Sequence, residues 1–148
     1  MNDLWGELVA VLIMGACVYF DVKSGKIGAP VIIAGLIISV IVACATGDVL
    51  QGVWGLIPGA FLVIASRLSR GAIGLGDGLS MLAIGPALGL WESVCVVFYG
   101  LVFTVIVGGI WALVKKKGRR VRIIFTPFLM AGILAVTAAE IVYMLQAP

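Results

Sequence analysis

APVIIAGLIISVIVACA, residues 29–45, carries no charge and lies between Lys23 and Lys26 on one side and Asp48 on the other. As a helix, seventeen residues reach about 25 Å at roughly 1.5 Å per residue, close to a hydrocarbon core of roughly 30 Å. Lipid offers backbone groups no hydrogen-bond partners, so an apolar run of this length implies a helix and not an isolated strand. Five further runs follow the same pattern: Leu4–Phe20, Val49–Ser66, Gly78–Leu90, Ser93–Val114 and Val121–Met144. The sequence therefore predicts an all-α membrane protein, a bundle of six transmembrane helices.

Composition agrees. With 63% hydrophobic and 11% charged residues among 148, and a mean hydropathy of +1.25, a water-soluble globule is excluded. By length, residues 1–148 form a single domain. The first twenty residues carry Asp3 and Glu7 and no basic lead-in, which reads as a retained helix and not a cleaved signal.

The charges sort by face. Lys23 and Lys26, Arg67 and Arg70, and the cluster Lys115, Lys116, Lys117, Arg119, Arg120 and Arg122 are separated by pairs of apolar runs, so all return to one side. Excess Lys and Arg mark the cytoplasmic face, which places both termini on the outer side. Asp3, Glu7, Asp48, Glu92 and Glu140 fall on that outer side. Asp21 and Asp77 are then the only acids on the basic side, each at the end of an apolar run. Ionised groups at that depth are costly and usually functional. The basic residues sit in loops beside lipid, which gives no nucleic-acid footprint; the 115–122 cluster suits anionic lipid headgroups.

Other residue types narrow the chemistry. No histidine is present, which removes Ser-His and Cys-His nucleophile pairs and histidine-based zinc sites. Cys17, Cys44 and Cys95 are odd in number, lie within apolar runs and have no metal-ligand spacing, so they read as reduced packing residues. Trp5, Trp54, Trp91 and Trp111 fit interfacial anchors. The twenty glycines, Gly100, Gly108 and Gly109 among them, suit either close helix packing or the general tolerance of membrane helices for glycine.

Asp77 closes Gly74-Leu75-Gly76-Asp77 and is followed by Gly78. Glycines let a second chain approach a carboxylate closely. As a bare pattern this is weak, and it lacks the strand and third glycine of a dinucleotide fingerprint. Together with Asp21 it points to a two-aspartate site. Amide hydrolysis by such a pair needs one carboxyl protonated and one ionised, a state favoured when two like charges are held close.

Three stretches are similar to the prepilin peptidases, Gly-x-Gly-Asp membrane aspartic proteases, and above all to their short single-domain members from tight-adherence pilus systems. Asp21-Val22-Lys23-Ser24-Gly25-Lys26-Ile27 resembles the first catalytic segment, Gly74–Asp77 the second, and Phe125-Thr126-Pro127-Phe128-Leu129 the Pro-Phe element that opens the last helix. The resemblance implies catalysis by Asp21 and Asp77, with Gly74, Gly76, Gly78 and Pro127 shaping the site. It implies a pilin-like precursor with a basic leader, a glycine before the cut and a hydrophobic helix in the membrane. A glutamate near the new terminus of that substrate would seek a positive partner, for which Lys23 and Lys26 are placed. The cysteine-rich insert of larger members is missing, so peptidase activity is expected without methyltransfer, zinc or any other cofactor. The departures are Gly28-Ala29 in place of Pro-Asn, and Leu79 in place of a lysine. They leave open a noncatalytic membrane scaffold of a secretion system. A small proton-coupled transporter is the third possibility; it would place its acids near the bilayer midplane.

Overall fold

The computed structural model describes residues 3–24, 28–68, 74–114 and 125–146. Six helices cover them: α1 Asp3–Ser24, α2 Ala29–Thr46, α3 Val49–Leu68, α4 Leu75–Leu88, α5 Leu90–Val114 and α6 Thr126–Gln146. Five are long and apolar enough to cross a membrane; α4 is the short exception. Glycines in the left-handed region punctuate the chain. Gly47, with φ 83°, ends α2, and Gly89, with φ 80°, separates α4 from α5, a conformation open to glycine and strained for other residues.

Helix α4 occupies the centre. It packs against α1, α2 and α3, with smaller contacts to α5 and α6. Nine of its fourteen residues are buried, Met81, Ala83, Ile84 and Leu88 among them. Around these lie Met14 and Cys17 of α1, Leu62 of α3, Val96 of α5, and Leu129 and Ile133 of α6. At about 21 Å α4 is too short to match a bilayer alone. Its neighbours enclose it, so its length has no lipid to match.

The faces are arranged as lipid requires. On α2 the buried residues are Gly35, Ser39 and Ala43, while Ile33, Ile37 and Ile41 are each about half exposed or more. Small residues inward and large ones outward is the pattern of membrane helices, which associate through close contact and not through exclusion of water. Ser39 Oγ adds an interhelical hydrogen bond to the Ala83 carbonyl at 2.6 Å. Helices α3 and α4 approach main chain to main chain. Gly55 and Gly85 face each other so tightly that a Cβ on either would run into the other's backbone carbonyl.

Several sequence expectations shift here. The fourth helix begins at Leu75, three residues ahead of the apolar run that starts at Gly78, so that Asp77 lies in its first turn. Asp21 lies within α1, not beyond its end. The sixth helix opens at Thr126; residues 121–124, where it was expected to start, lie outside the described residues. Of the cysteines, Cys17 is buried as expected, Cys95 is half-buried, and Cys44 is exposed on the outer surface of α2. Hydropathy marks apolar residues without telling inward from outward when the surroundings are lipid. Gly100 does pack closely, against Leu129.

Candidate active site

Three helix ends build the site. Asp21 stands in the last turn of α1, Asp77 in the first turn of α4, and Thr126 opens α6. The two aspartates come from different helices and from opposite helix polarities. Asp77 is near the positive end of the α4 dipole, Asp21 near the negative end of that of α1, so the two carboxyls are electrostatically inequivalent.

Gly74 caps α4 with extended backbone, φ −64° and ψ 127°, and its carbonyl accepts from the Asp77 N–H at 3.2 Å. This tight turn folds the Asp77 carboxyl back over Gly74. A Cβ at Gly74 would collide with Asp77 Oδ2. Gly78 serves the other side: a Cβ there would lie 2.8 Å from the Val63 backbone nitrogen of α3. Ser80 Oγ donates to the Asp77 carbonyl at 2.9 Å, tightening the same turn. Asp77 is only 5% exposed, whereas Asp21 is half-buried.

Thr126 connects them. Its Oγ1 lies 2.7 Å from Asp21 Oδ2 and 2.6 Å from Asp77 Oδ1, and the residue is completely buried. The two carboxyls are therefore within two hydrogen-bond lengths of each other across a single hydroxyl. Local sequence explains the placement. The Phe125 carbonyl accepts from the Phe128 and Leu129 N–H groups at 2.9 and 3.2 Å, starting α6 at Thr126. Pro127 sits in the first turn, where its missing N–H forfeits no helix bond and its fixed φ favours the helix. Phe125 is buried beside them.

The remaining predicted residues are distributed unevenly. Lys23 is exposed and turned onto its own helix, with Nζ 3.3 Å from the Tyr19 hydroxyl and 5.4 Å above that ring. Gly76 and Pro127 are half-buried. Lys26, Arg70 and the whole 115–122 cluster lie outside the described residues. Among the described residues, charge separates along the bundle. Lys23, Arg67 and the aspartate pair occupy the end formed by the last turns of α1 and α3 and the first turn of α4; Asp3, Glu7, Asp48 and Glu92 occupy the other. Glu7 is fully buried there, near a cleft lined by Gly6, Thr46, Asp48, Gln51 and Glu92. That cleft is a helix length away from Asp21 and Asp77 and belongs to no part of their site.

Thr126 is the residue that sequence reasoning passed over. Its signal was available: a hydroxyl immediately before a proline, at the start of an apolar run, on the face where the two aspartates end. Hydrogen bonds spanning 105 and 49 positions of chain have no local signature.

Apolar helices of this number and length, closing on a pair of carboxyls, define a multi-pass membrane protein with a built polar site at one end. A family model described as the type IV leader peptidase family matches residues 8–112. The chain belongs to that family, the prepilin peptidases, and is a membrane protease of leader-peptidase type. Asp21 and Asp77 fall within the match, and Thr126 lies beyond it. Neither the curated proteins nor the solved structures give a match.

Proposed function

We propose that Asp21 and Asp77 are the catalytic pair of an aspartic endopeptidase that removes a short basic leader from pilin-like precursors. The observation that carries this reading is the convergence of both carboxyls on Thr126 Oγ1. In the reaction, water bound beside the pair attacks the scissile carbonyl carbon as the ionised carboxyl takes its proton. The protonated carboxyl gives its proton to the carbonyl oxygen, stabilising the tetrahedral centre. Collapse breaks the C–N bond, the amine leaves with a proton from the pair, and the leader departs as a carboxylic acid.

Gly74 and Gly78 shape this site by admitting the Asp77 carboxyl and the α3 backbone. Pro127 fixes the start of α6, Lys23 and Lys26 are the candidate partners of an acidic group on the precursor, as the positive charges that flank Asp21 in sequence, and Gly76 is the candidate contact for its backbone. In this reading all six helices cross the inner membrane, both termini face outward, and the aspartates face the cytoplasm. The Lys and Arg bias of the loops supports that orientation. A proton-coupled transporter is disfavoured, because the acids occupy helix ends and not the middle of the bundle.

The test uses purified protein in liposomes with a synthetic pilin precursor. Wild type is expected to release the leader, and Asp21→Asn and Asp77→Asn each to lose at least about 10³-fold in rate, at the upper part of what acid–base groups contribute. Undiminished cleavage by either variant, correctly inserted, rules the reading out.

A further inference from the structure

We propose that Thr126 is a positioning residue that holds Asp21 and Asp77 as one unit carrying a shared proton. This rests on the peptidase reading for its consequence in catalysis, and on proton counting for its structure. Three oxygens, Asp21 Oδ2, Thr126 Oγ1 and Asp77 Oδ1, are joined by contacts of 2.7 and 2.6 Å. A hydroxyl has one proton to donate, and two such contacts need two protons. The second has to come from one of the carboxyls, which then donates to Oγ1 while Thr126 donates to the other. With both carboxyls ionised, one contact would bring two bare oxygen lone pairs together at hydrogen-bond distance. The singly protonated pair satisfies every oxygen in the row, and it is the state that peptide hydrolysis by two carboxyls requires at the start.

The surroundings hold Thr126 to this task. It is fully buried, Pro127 sets the backbone that follows it, and the Phe125 carbonyl is occupied by the first turn of α6. A threonine at a helix start ordinarily turns its hydroxyl onto its own helix. Here the hydroxyl is directed to two other helices. Among the described residues, the ionisable groups at this end of the helices packed against α6 are Cys17, Tyr19, Asp21 and Lys23 of α1 and Asp77 of α4; Arg67 stands at the same end on α3, which does not touch α6. Lys23 is engaged with Tyr19 and Arg67 is exposed, so neither supplies the bridging proton.

The experiment compares Thr126→Val, which keeps the shape and removes the hydroxyl, with Thr126→Ser, which keeps the hydroxyl. In cleavage assays Thr126→Val is expected to lower kcat by about 10²-fold, the scale of a mispositioned catalytic group. Its KM should stay within about twofold of wild type, and the alkaline limb of its pH–rate profile should move; Thr126→Ser should recover activity to within about tenfold of wild type. A second measurement does not depend on activity. Infrared difference spectra of the purified protein at neutral pH should show a protonated-carboxyl band that is lost in Asp21→Asn or Asp77→Asn and lost or displaced in Thr126→Val, but kept in Thr126→Ser. A band unchanged by Thr126→Val overturns the inference, as does a Thr126→Ser enzyme as impaired as Thr126→Val. If the band behaves as expected but wild type cleaves no precursor, the shared proton stands and the peptidase reading falls.

Discussion

The Asp77 carboxyl lies directly over Gly74, in the space that the Cβ of any other residue would take. The glycine of this motif thus acts through volume: it leaves room for a carboxyl folded back against the helix start. Gly74→Ala is expected to push Asp77 off Thr126 and cut kcat by about 10²-fold, with insertion and thermal stability near wild type. Cleavage kinetics beside a melting curve check this. Full activity in Gly74→Ala would show that Asp77 works from another rotamer.

The contact between Gly55 and Gly85 sets a stability prediction. Gly55→Ala or Gly85→Ala meets backbone carbonyl groups that cannot rotate away, so α3 and α4 must separate. A loss of about 1–3 kcal/mol is expected, the usual cost of overpacking. Ser39→Ala, which removes one hydrogen bond to Ala83, should cost less, about 0.6 kcal/mol as for such bonds between membrane helices. Reversible denaturation in mixed micelles ranks the three.

Thiol labelling tests the faces of the bundle. A membrane-permeant maleimide should modify Cys44 first, Cys95 more slowly, and Cys17 only after unfolding, following their exposed, half-buried and buried positions. Mass spectrometry of the labelled peptides over time reads the order. Rapid labelling of Cys17 would contradict the packing of α1 against α4.

Orientation can be tested through the loop charges. Replacing Lys115, Lys116, Lys117, Arg119, Arg120 and Arg122 with acidic residues should disturb the insertion of α5 and α6, as read by protease protection of tags placed on the loops. Cleavage should fall in proportion to the misinserted fraction, with the cut site unchanged.

How much of this was legible depended on the kind of contact involved. Helix α2 was readable to within a residue at either end, because an uncharged run bounded by Lys26 and Asp48 has one solution in lipid. The pairing of Asp21 with Asp77 was legible through charge sidedness and the glycine motif. The start of α4 was not, because Gly74-Leu75-Gly76 has turn composition, yet Leu75 and Gly76 open the first turn of the helix. The exposure of Cys44 and the burial of Glu7 depend on which side of a helix faces its neighbours, which hydropathy does not encode. The role of Thr126 was hidden for a related reason: the hydroxyl before Pro127 could be singled out in the sequence, but its partners lie on two helices distant in the chain, and only their assembly gives it its place.

The Gly55–Gly85 contact also decides which parts of the molecule are free to adjust. Main chain pressed against main chain has no rotamers to exchange, so α3 and α4 shift together as a single anvil bearing Asp77. Helix α1 meets α4 main chain the same way at its other end, where a Cβ on Gly6 would strike the Ala87 carbonyl. Any widening between the carboxyls to admit a peptide therefore falls to the ends remote from that clamp, the last turn of α1 and the start of α6, which bring Asp21 and Thr126 to the work.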